Sequence, residues 1–166
     1  MTVYQAKSNK LVFDITKDYT LIGQLTYKSW FKFNATITLP NTTEYEVLPK
    51  GFWGTTIEVK DGENVLLEFK MNWSGDVVIQ TYFNAVEKGY VFKHRGFFKD
   101  SFILLDEDGA ELLVMKPHVK WSKMFYEYEI TTADAFEALS NKEIVLITSL
   151  HCANYYMSMV TASIGG

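Results

Sequence analysis

The chain has 166 residues, of which 48% are hydrophobic and 16% aromatic, and its formal net charge is −4. This apolar content excludes a disordered chain, the length suits one domain with a sizeable core, and the acidic balance argues against general nucleic-acid binding. Cys152 is the only cysteine, so an internal disulfide is excluded. With no apolar signal region at residues 1–7, we expect a cytoplasmic protein.

Alternation of apolar and polar residues predicts one strand after another over residues 1–130. The clearest run is 31–39, where apolar residues alternate with lysine, asparagine and threonine. Gly23, inside another run, predicts a close neighbour at that point. The predicted strands are 3–7, 11–16, 21–28, 31–39, 44–48, 52–60, 65–71, 76–82, 89–94, 97–106, 111–116 and 124–130.

Three segments of this region resemble one another, which indicates an internal repeat. In each segment, a turn that contains an aspartate precedes a strand and then a tryptophan. Two of the turns are Asp-Gly pairs, which are typical of tight hairpins. The aspartate and tryptophan pairs are Asp18 and Trp30, Asp61 and Trp73, and Asp108 and Trp121, which are 12, 12 and 13 residues apart. Hairpins of similar length can look alike by chance, which is the alternative to a repeat.

Residues 132–139 are predicted to form a short linker helix, and residues 140–166 a longer one. Ser140 and Glu143 fit a capping box, in which each side chain binds the backbone N–H of the other residue. Leu139 and Ile144 fit the hydrophobic contact that often accompanies such a start.

The longer helix has no charged residue after Glu143. A helix that is apolar nearly all round is surrounded either by protein or by lipid. His151, Asn154, Ser158 and Thr161 give it one polar stripe, which favours the interior of the protein over a membrane tail anchor.

A closed barrel of about twelve strands leaves a lumen that such a helix can fill. We therefore predict a mainly β (α+β) fold over residues 1–166. Residues 1–130 would supply a closed antiparallel barrel, residues 132–139 the linker, and residues 140–166 a central hydrophobic helix.

The stretches Phe102–Asp106 and Asp108–Val114, together with the helix from Lys142, resemble the tubby C-terminal-like superfamily. That group includes the LURP-one-related proteins and the phospholipid scramblases, and the resemblance covers nearly the whole chain. It implies a barrel around a central helix. Among relatives it also implies a link to membranes or to anionic lipid head groups.

No motif predicts catalysis, a cofactor or a metal site. His94, His118 and His151 are scattered without the spacing of metal ligands. His151 and Cys152 could pair a base with a nucleophile. Neighbouring helical residues point about 100° apart, however, so we interpret the cysteine as a small core residue. We therefore expect a protein that is not an enzyme.

Cations surround aromatic residues in one predicted turn, where Lys93, Arg95 and Lys99 bracket Phe97 and Phe98. Exposed aromatic rings among cations suit an anionic membrane surface or an acidic protein partner. The alternative is that the rings close the barrel end and the cations are merely solvated. The turn predicts a non-catalytic binding module.

Two other functions remain open. Ile103, Leu105, Leu113 and Met115 could form an apolar outer patch, through which the protein would oligomerise or serve as an assembly subunit. A lipocalin-like carrier would instead hold a small apolar ligand inside the barrel, with the helix packed outside.

Overall fold

A computed structural model describes residues 1–29, 32–51, 55–96, 100–120 and 125–164. Within these ranges twelve strands close into one antiparallel barrel, in which neighbours in sequence pair and β1 pairs with β12. The strands are β1 (Thr2–Asn9), β2 (Val12–Lys17), β3 (Thr20–Ser29), β4 (Lys32–Thr38), β5 (Glu44–Lys50), β6 (Thr56–Asp61), β7 (Asn64–Met71), β8 (Val77–Thr81), β9 (Lys88–Arg95), β10 (Ser101–Leu105), β11 (Glu111–Lys120) and β12 (Phe125–Thr132). A 3-10 turn at Phe83–Ala85 and the helices α1 (Asp134–Glu137) and α2 (Lys142–Ile164) complete the chain. The predicted fold class is confirmed.

Helix α2 fills the barrel. All side chains from Ile144 to Asn154 are buried. With 3.6 residues per turn, these consecutive residues point to every side of the helix. Burial on every side requires partners on every side, and the contacts come from strands all around the barrel. Ile147 lies against β3, His151 against Phe69 of β7, and Asn154 against Tyr128 of β12. In the described ranges no helix has the length and hydrophobicity needed to cross a membrane.

Gly23 provides room for this helix. A Cβ atom added at Gly23 would lie 2.6 Å from Cδ1 of Ile147, which is closer than such atoms approach. The close neighbour that the sequence predicts for this glycine is therefore the central helix.

The start of α2 differs slightly from the prediction. The first helical hydrogen bond runs from the Val145 N–H to the Asn141 carbonyl, at 3.3 Å. Asn141 therefore takes the N-cap position, one residue later than the capping box predicts. The linker helix is also shorter than predicted, because Thr132 still belongs to β12 and α1 spans only Asp134–Glu137.

Three equivalent β-bulges support the internal repeat. The hairpins β2–β3, β6–β7 and β10–β11 lie four strands apart around the barrel, and each changes register close to its turn. The extra residues are Ile22, Leu66 and Leu112, which pack against the core or lie within it. A bulge places one unpaired residue in a strand and increases its twist, so the barrel bends at three matching positions.

The bulge at Leu112 overturns the predicted outer patch. Leu113 pairs with Leu104 and Met115 pairs with Phe102, and all four side chains are buried inside the barrel. Ile103 lies on the outer face, since it alternates with two inward residues. The prediction of a common outer face with Ile103 and Leu105 was therefore wrong for Leu113 and Met115. The extra residue at Leu112 shifts the alternation of β11, so that Leu113 and Met115 point inward.

Candidate functional site

The topology separates the connections into two groups at opposite ends of the barrel. Because successive strands run in opposite directions, β1–β2, β3–β4, β5–β6, β7–β8, β9–β10 and β11–β12 are joined at one end. Helix α2 starts at the other end and runs towards this one, as its successive contacts show: Ile147 lies near Gly23, and Tyr156 stacks on His94 near the end of β9.

These two ends have opposite charge. We call the end with these six connections, together with the strand residues that flank them, the basic end. The opposite end, which also contains the segment from β12 to α2, is called the acidic end. Among the described residues, the charged residues of the basic end are Lys10, Lys32, Lys50, Arg95 and Lys120, against Asp76 and Asp100. Those of the acidic end are Asp18, Glu44, Asp61, Glu63, Glu87, Asp106, Glu107, Asp108, Glu111, Asp134 and Glu137, against Lys17, Lys88 and Lys142. The net charge of −4 is therefore unevenly distributed between the two ends, which an ion pair between Arg95 and Glu111 connects.

The predicted binding turn lies at the basic end, but its described cations are paired. Lys93 Nζ lies 3.5 Å from Asp76 Oδ2, and Arg95 Nη1 donates to Glu111 Oε2 at 2.7 Å. The second pair crosses β10, on whose outer face Ile103 is only 8% exposed. Phe97, Phe98 and Lys99 lie outside the described residues.

Exposed lysines occupy other positions at this end. Lys10 lies in the β1–β2 turn, Lys28 near the end of β3, and Lys70 near the end of β7, and all three are exposed. Lys50 is also exposed, and its Nζ lies 4.0 Å from Glu68 Oε2. These lysines extend the positive surface beyond the turn that sequence analysis singled out.

A hydrogen-bonded turn presents an indole ring at the same end. Trp73 is fully exposed between β7 and β8. The Asn72 side chain organises this turn, since its Oδ1 accepts hydrogen bonds from the backbone N–H groups of Ser74 and Asp76, both at 3.0 Å. Gly75 completes the turn with a φ of +85°, a conformation that glycine adopts without strain. Trp30, Trp53 and Trp121 lie outside the described residues.

The central helix emerges beside these connections. Tyr156 of α2 stacks on His94 with ring centroids 5.0 Å apart, and the Nε2 atom of His94 lies 3.1 Å from Asp100 Oδ1. One turn later, Met159 is about half exposed. The helix thus adds an apolar side chain to the surface of the basic end.

Inside the barrel, the polar stripe of α2 meets two tyrosines. Tyr128 donates to Asn154 Oδ1 at 2.8 Å, and Asn154 Nδ2 donates to the Tyr27 hydroxyl at 3.1 Å. The Tyr27 hydroxyl lies 2.6 Å from His151 Nδ1. We assign the hydroxyl as the donor and Nδ1 as the acceptor of this hydrogen bond. These bonds satisfy the Tyr27 hydroxyl, the Asn154 amide and His151 Nδ1, whereas the buried His151 Nε2 has no hydrogen-bond partner within the described ranges. Because such pairing requires these side chains to meet, the cluster fixes the register of the helix in the barrel.

Burial keeps the ionisable groups of this cluster neutral. It lowers the pKa of His151 to about 3 and raises the pKa of Tyr27 well above its usual value. It also raises the pKa of Cys152, so the thiol next to His151 is not activated as a nucleophile. These directions indicate a structural cluster.

Sequence analysis missed the partners of the polar stripe and the Trp73 turn. Tyr27 and Tyr128 resemble any other inward aromatic residue of a strand, and only the barrel brings them to α2. A signal for the turn was present in Asn72, Ser74 and Gly75, which are typical turn residues around an exposed position.

No group of histidine, cysteine and acidic side chains suited to a metal ion occurs within the described ranges. The chain matches no protein-family model, no curated protein and no solved structure.

Proposed function

We propose that the protein is a non-catalytic binding module that attaches to anionic membrane surfaces through its basic end. The observation that carries this proposal is the segregation of charge between the barrel ends. Because the whole chain is acidic, anionic lipid would repel it in most orientations. Only an approach with the basic end first is favourable, which would give the encounter a defined orientation.

The side chains at this end supply both parts of a membrane contact. Each lysine near an anionic bilayer contributes about 1 kcal/mol, and Lys10, Lys28 and Lys70 are exposed there. Trp73 is suited to the interface between lipid head groups and acyl chains, where indole rings are enriched. Since Asn72 already holds the turn in place, little conformational entropy would be lost when the ring inserts.

The resemblance to the tubby C-terminal-like superfamily supports the same function, because it implies a link to membranes or anionic lipid head groups. The carrier hypothesis has less support, since α2 fills the lumen in which a ligand would lie. An assembly subunit has less support as well, because Leu113 and Met115 face the interior.

Vesicle co-sedimentation tests the proposal. The protein should pellet with phosphatidylserine-containing vesicles at low salt and remain in the supernatant with pure phosphatidylcholine. Binding should weaken steeply when salt is raised, because the Debye length falls from about 30 Å at 0.01 M to about 8 Å at 0.15 M. Equal binding to both vesicles would contradict the proposal, as would no binding to anionic vesicles at low salt.

Two sets of variants locate the contact. The triple change Lys10→Glu, Lys28→Glu and Lys70→Glu should abolish binding with little change in melting temperature. The matched control, Lys17→Glu, Lys60→Glu and Lys88→Glu, makes the same change in net charge but alters lysines of β2, β6 and β9 near the acidic end. It should retain most of the binding. Trp73→Ala should weaken binding without changing its salt dependence, because it removes an apolar contact.

A further inference from the structure

A cleft of about 260 Å³ opens at the acidic end, far from the proposed membrane contact. One wall is the β8–β9 connection, with Phe83 and Val86, and the other is the linker before α2, with Leu139. Tyr90 and Val145 are buried and form the floor. A volume of this size holds about eight water molecules at ~30 Å³ each, which is the space of a small organic molecule.

The Tyr90 hydroxyl belongs to the lining of the cleft and has no hydrogen-bond partner within the described ranges. Tyr90 is 6% exposed, and none of the hydrogen bonds within the described ranges involves its hydroxyl. Burial, followed by the carboxylates of Glu107 and Asp106, raises the pKa of Tyr90, so the hydroxyl keeps its proton. Because no protein group accepts its proton, this donor is available to a ligand oxygen in the cleft.

Positive charge borders the same cleft. Lys88 is the only charged residue among its lining side chains. Ser140 and Asn141 also line it, immediately before α2. The N–H groups of residues 142–144 have no acceptor within the helix, since the first helical bond comes from Val145. A helix start with free N–H groups attracts negative charge.

The backbone of one wall is held in an unusual conformation. Asn84 and Ala85 both have left-handed backbone angles, with φ of 54° and 58°. Alanine rarely adopts this conformation, and such residues are concentrated at ligand sites, where surrounding structure maintains them. Here they turn the chain so that Phe83 and Val86 both face the cleft.

We propose that this cleft binds a small organic carboxylate with an apolar body about the size of a benzene ring. The apolar part would contact Phe83, Val86 and Leu139. The carboxylate would accept hydrogen bonds from the Tyr90 hydroxyl and from Lys88. Glu87, next to Lys88, and the carboxylates near Tyr90 disfavour a doubly charged group, so the site selects a monoanion over phosphate or sulfate. This site is independent of the proposed membrane contact.

Amide NMR titration with benzoate tests the site, with benzamide as a neutral probe of the same shape and sulfate as an anion without an apolar body. Benzoate should produce saturable shifts confined to residues 81–90 and 138–145, with a millimolar or tighter Kd for about nine non-hydrogen atoms. It should bind about tenfold more tightly than benzamide, and sulfate should not saturate. Equal affinities for benzoate and benzamide would overturn the proposal, as would shifts that do not saturate.

Variants connect the affinity to named groups. Lys88→Gln should remove the advantage of benzoate over benzamide, whereas the control Lys60→Gln should leave it intact. Ala138→Trp should fill the cleft from its exposed rim and abolish binding of both probes. Tyr90→Phe should weaken benzoate about threefold or more. If Tyr90→Phe fails to fold, Lys88→Gln still tests the proposal, because Lys88 is exposed. If Lys88→Gln bound benzoate more tightly than benzamide by the same factor as the wild type, the proposed site would be contradicted.

Discussion

The two ends of this barrel differ in construction as well as in charge. At the acidic end, the three hairpins β2–β3, β6–β7 and β10–β11 each have a bulge close to the turn. At the basic end, the side chains of Trp73, Lys10, Lys28 and Lys70 are exposed. This difference is the basis of the proposal that the basic end is the surface that contacts membranes.

At the acidic end, a network around Glu137 ties the linker to the barrel. Glu137 accepts hydrogen bonds from the Tyr4 hydroxyl, from Thr132 Oγ1 and from Lys142 Nζ. These donors belong to β1, β12 and α2, so one carboxylate joins the first strand, the last strand and the central helix. Phe136 is fully buried beside it and anchors α1.

The largest effect should follow from removal of the helix that both ends share. A chain cut after Glu143 loses every buried side chain from Ile144 to Asn154, so the barrel would be left with an apolar lumen. Large cavities in a core cost about 24 cal/mol per Å³, and we expect no cooperative folding. A soluble truncation with a sharp melting transition would show that the two ends close without the helix.

A single buried charge should have the next largest effect. Leu150 is fully buried in α2, so Leu150→Asp should lower the free energy of unfolding by about 3–5 kcal/mol in urea denaturation. Lys10→Asp places the same carboxylate in an exposed turn and should change it by less than about 0.5 kcal/mol. Similar losses in the two variants would contradict the enclosed position of α2.

Loss of one hydroxyl from the buried cluster should cost less. Tyr27→Phe removes the partner of both His151 and Asn154, so stability should fall by about 1–3 kcal/mol. Tyr19→Phe, at a fully exposed tyrosine, is the control and should be neutral. Vesicle binding should be retained by both variants. If Tyr27→Phe were as stable as the wild type, the cluster would not hold the helix.

Much of the fold was predictable because its signals are local. Strand alternation, Asp-Gly turns and a long uncharged C-terminal segment are each readable over a few residues. Each of the twelve predicted strands overlaps an observed one, and the predicted strand residues 31, 52–54, 97–99 and 124 lie outside the described residues. The inward position of Leu113 was not, because the bulge at Leu112 reverses the alternation without a distinctive residue type.

The candidate site was less predictable because it is assembled from distant segments. The cations around Gly96 were found as a cluster in sequence, but their ion pairs with Asp76 and Glu111 depend on strand neighbours. To predict the segregation of charge between the ends, one must know the direction of every strand. The order of charged residues along the sequence does not give that direction.

The smallest effect on stability should be a pH dependence at the acidic end. Burial alone would raise the pKa of Glu137, but the hydrogen bonds from Lys142, Thr132 and Tyr4 outweigh it and hold that pKa below its usual value of 4.5. Its contribution is therefore complete above the unfolded pKa and is lost as the pH falls through the folded pKa. Between about pH 6 and pH 3, the wild type should lose more stability than Glu137→Gln in urea melts. Parallel pH profiles would mean that the network adds nothing to folding.

The orientation of the protein on a membrane tests the division between the two ends most directly. We would record amide NMR spectra with phosphatidylserine nanodiscs that carry a spin label in the head-group region. Resonances of basic-end residues such as Lys10, Lys28 and Ser74 should broaden strongly, whereas those of Gly62 and Gly109 at the acidic end should not. Broadening at the acidic end, or uniform broadening over the barrel, would contradict the proposal that the basic end is the binding surface.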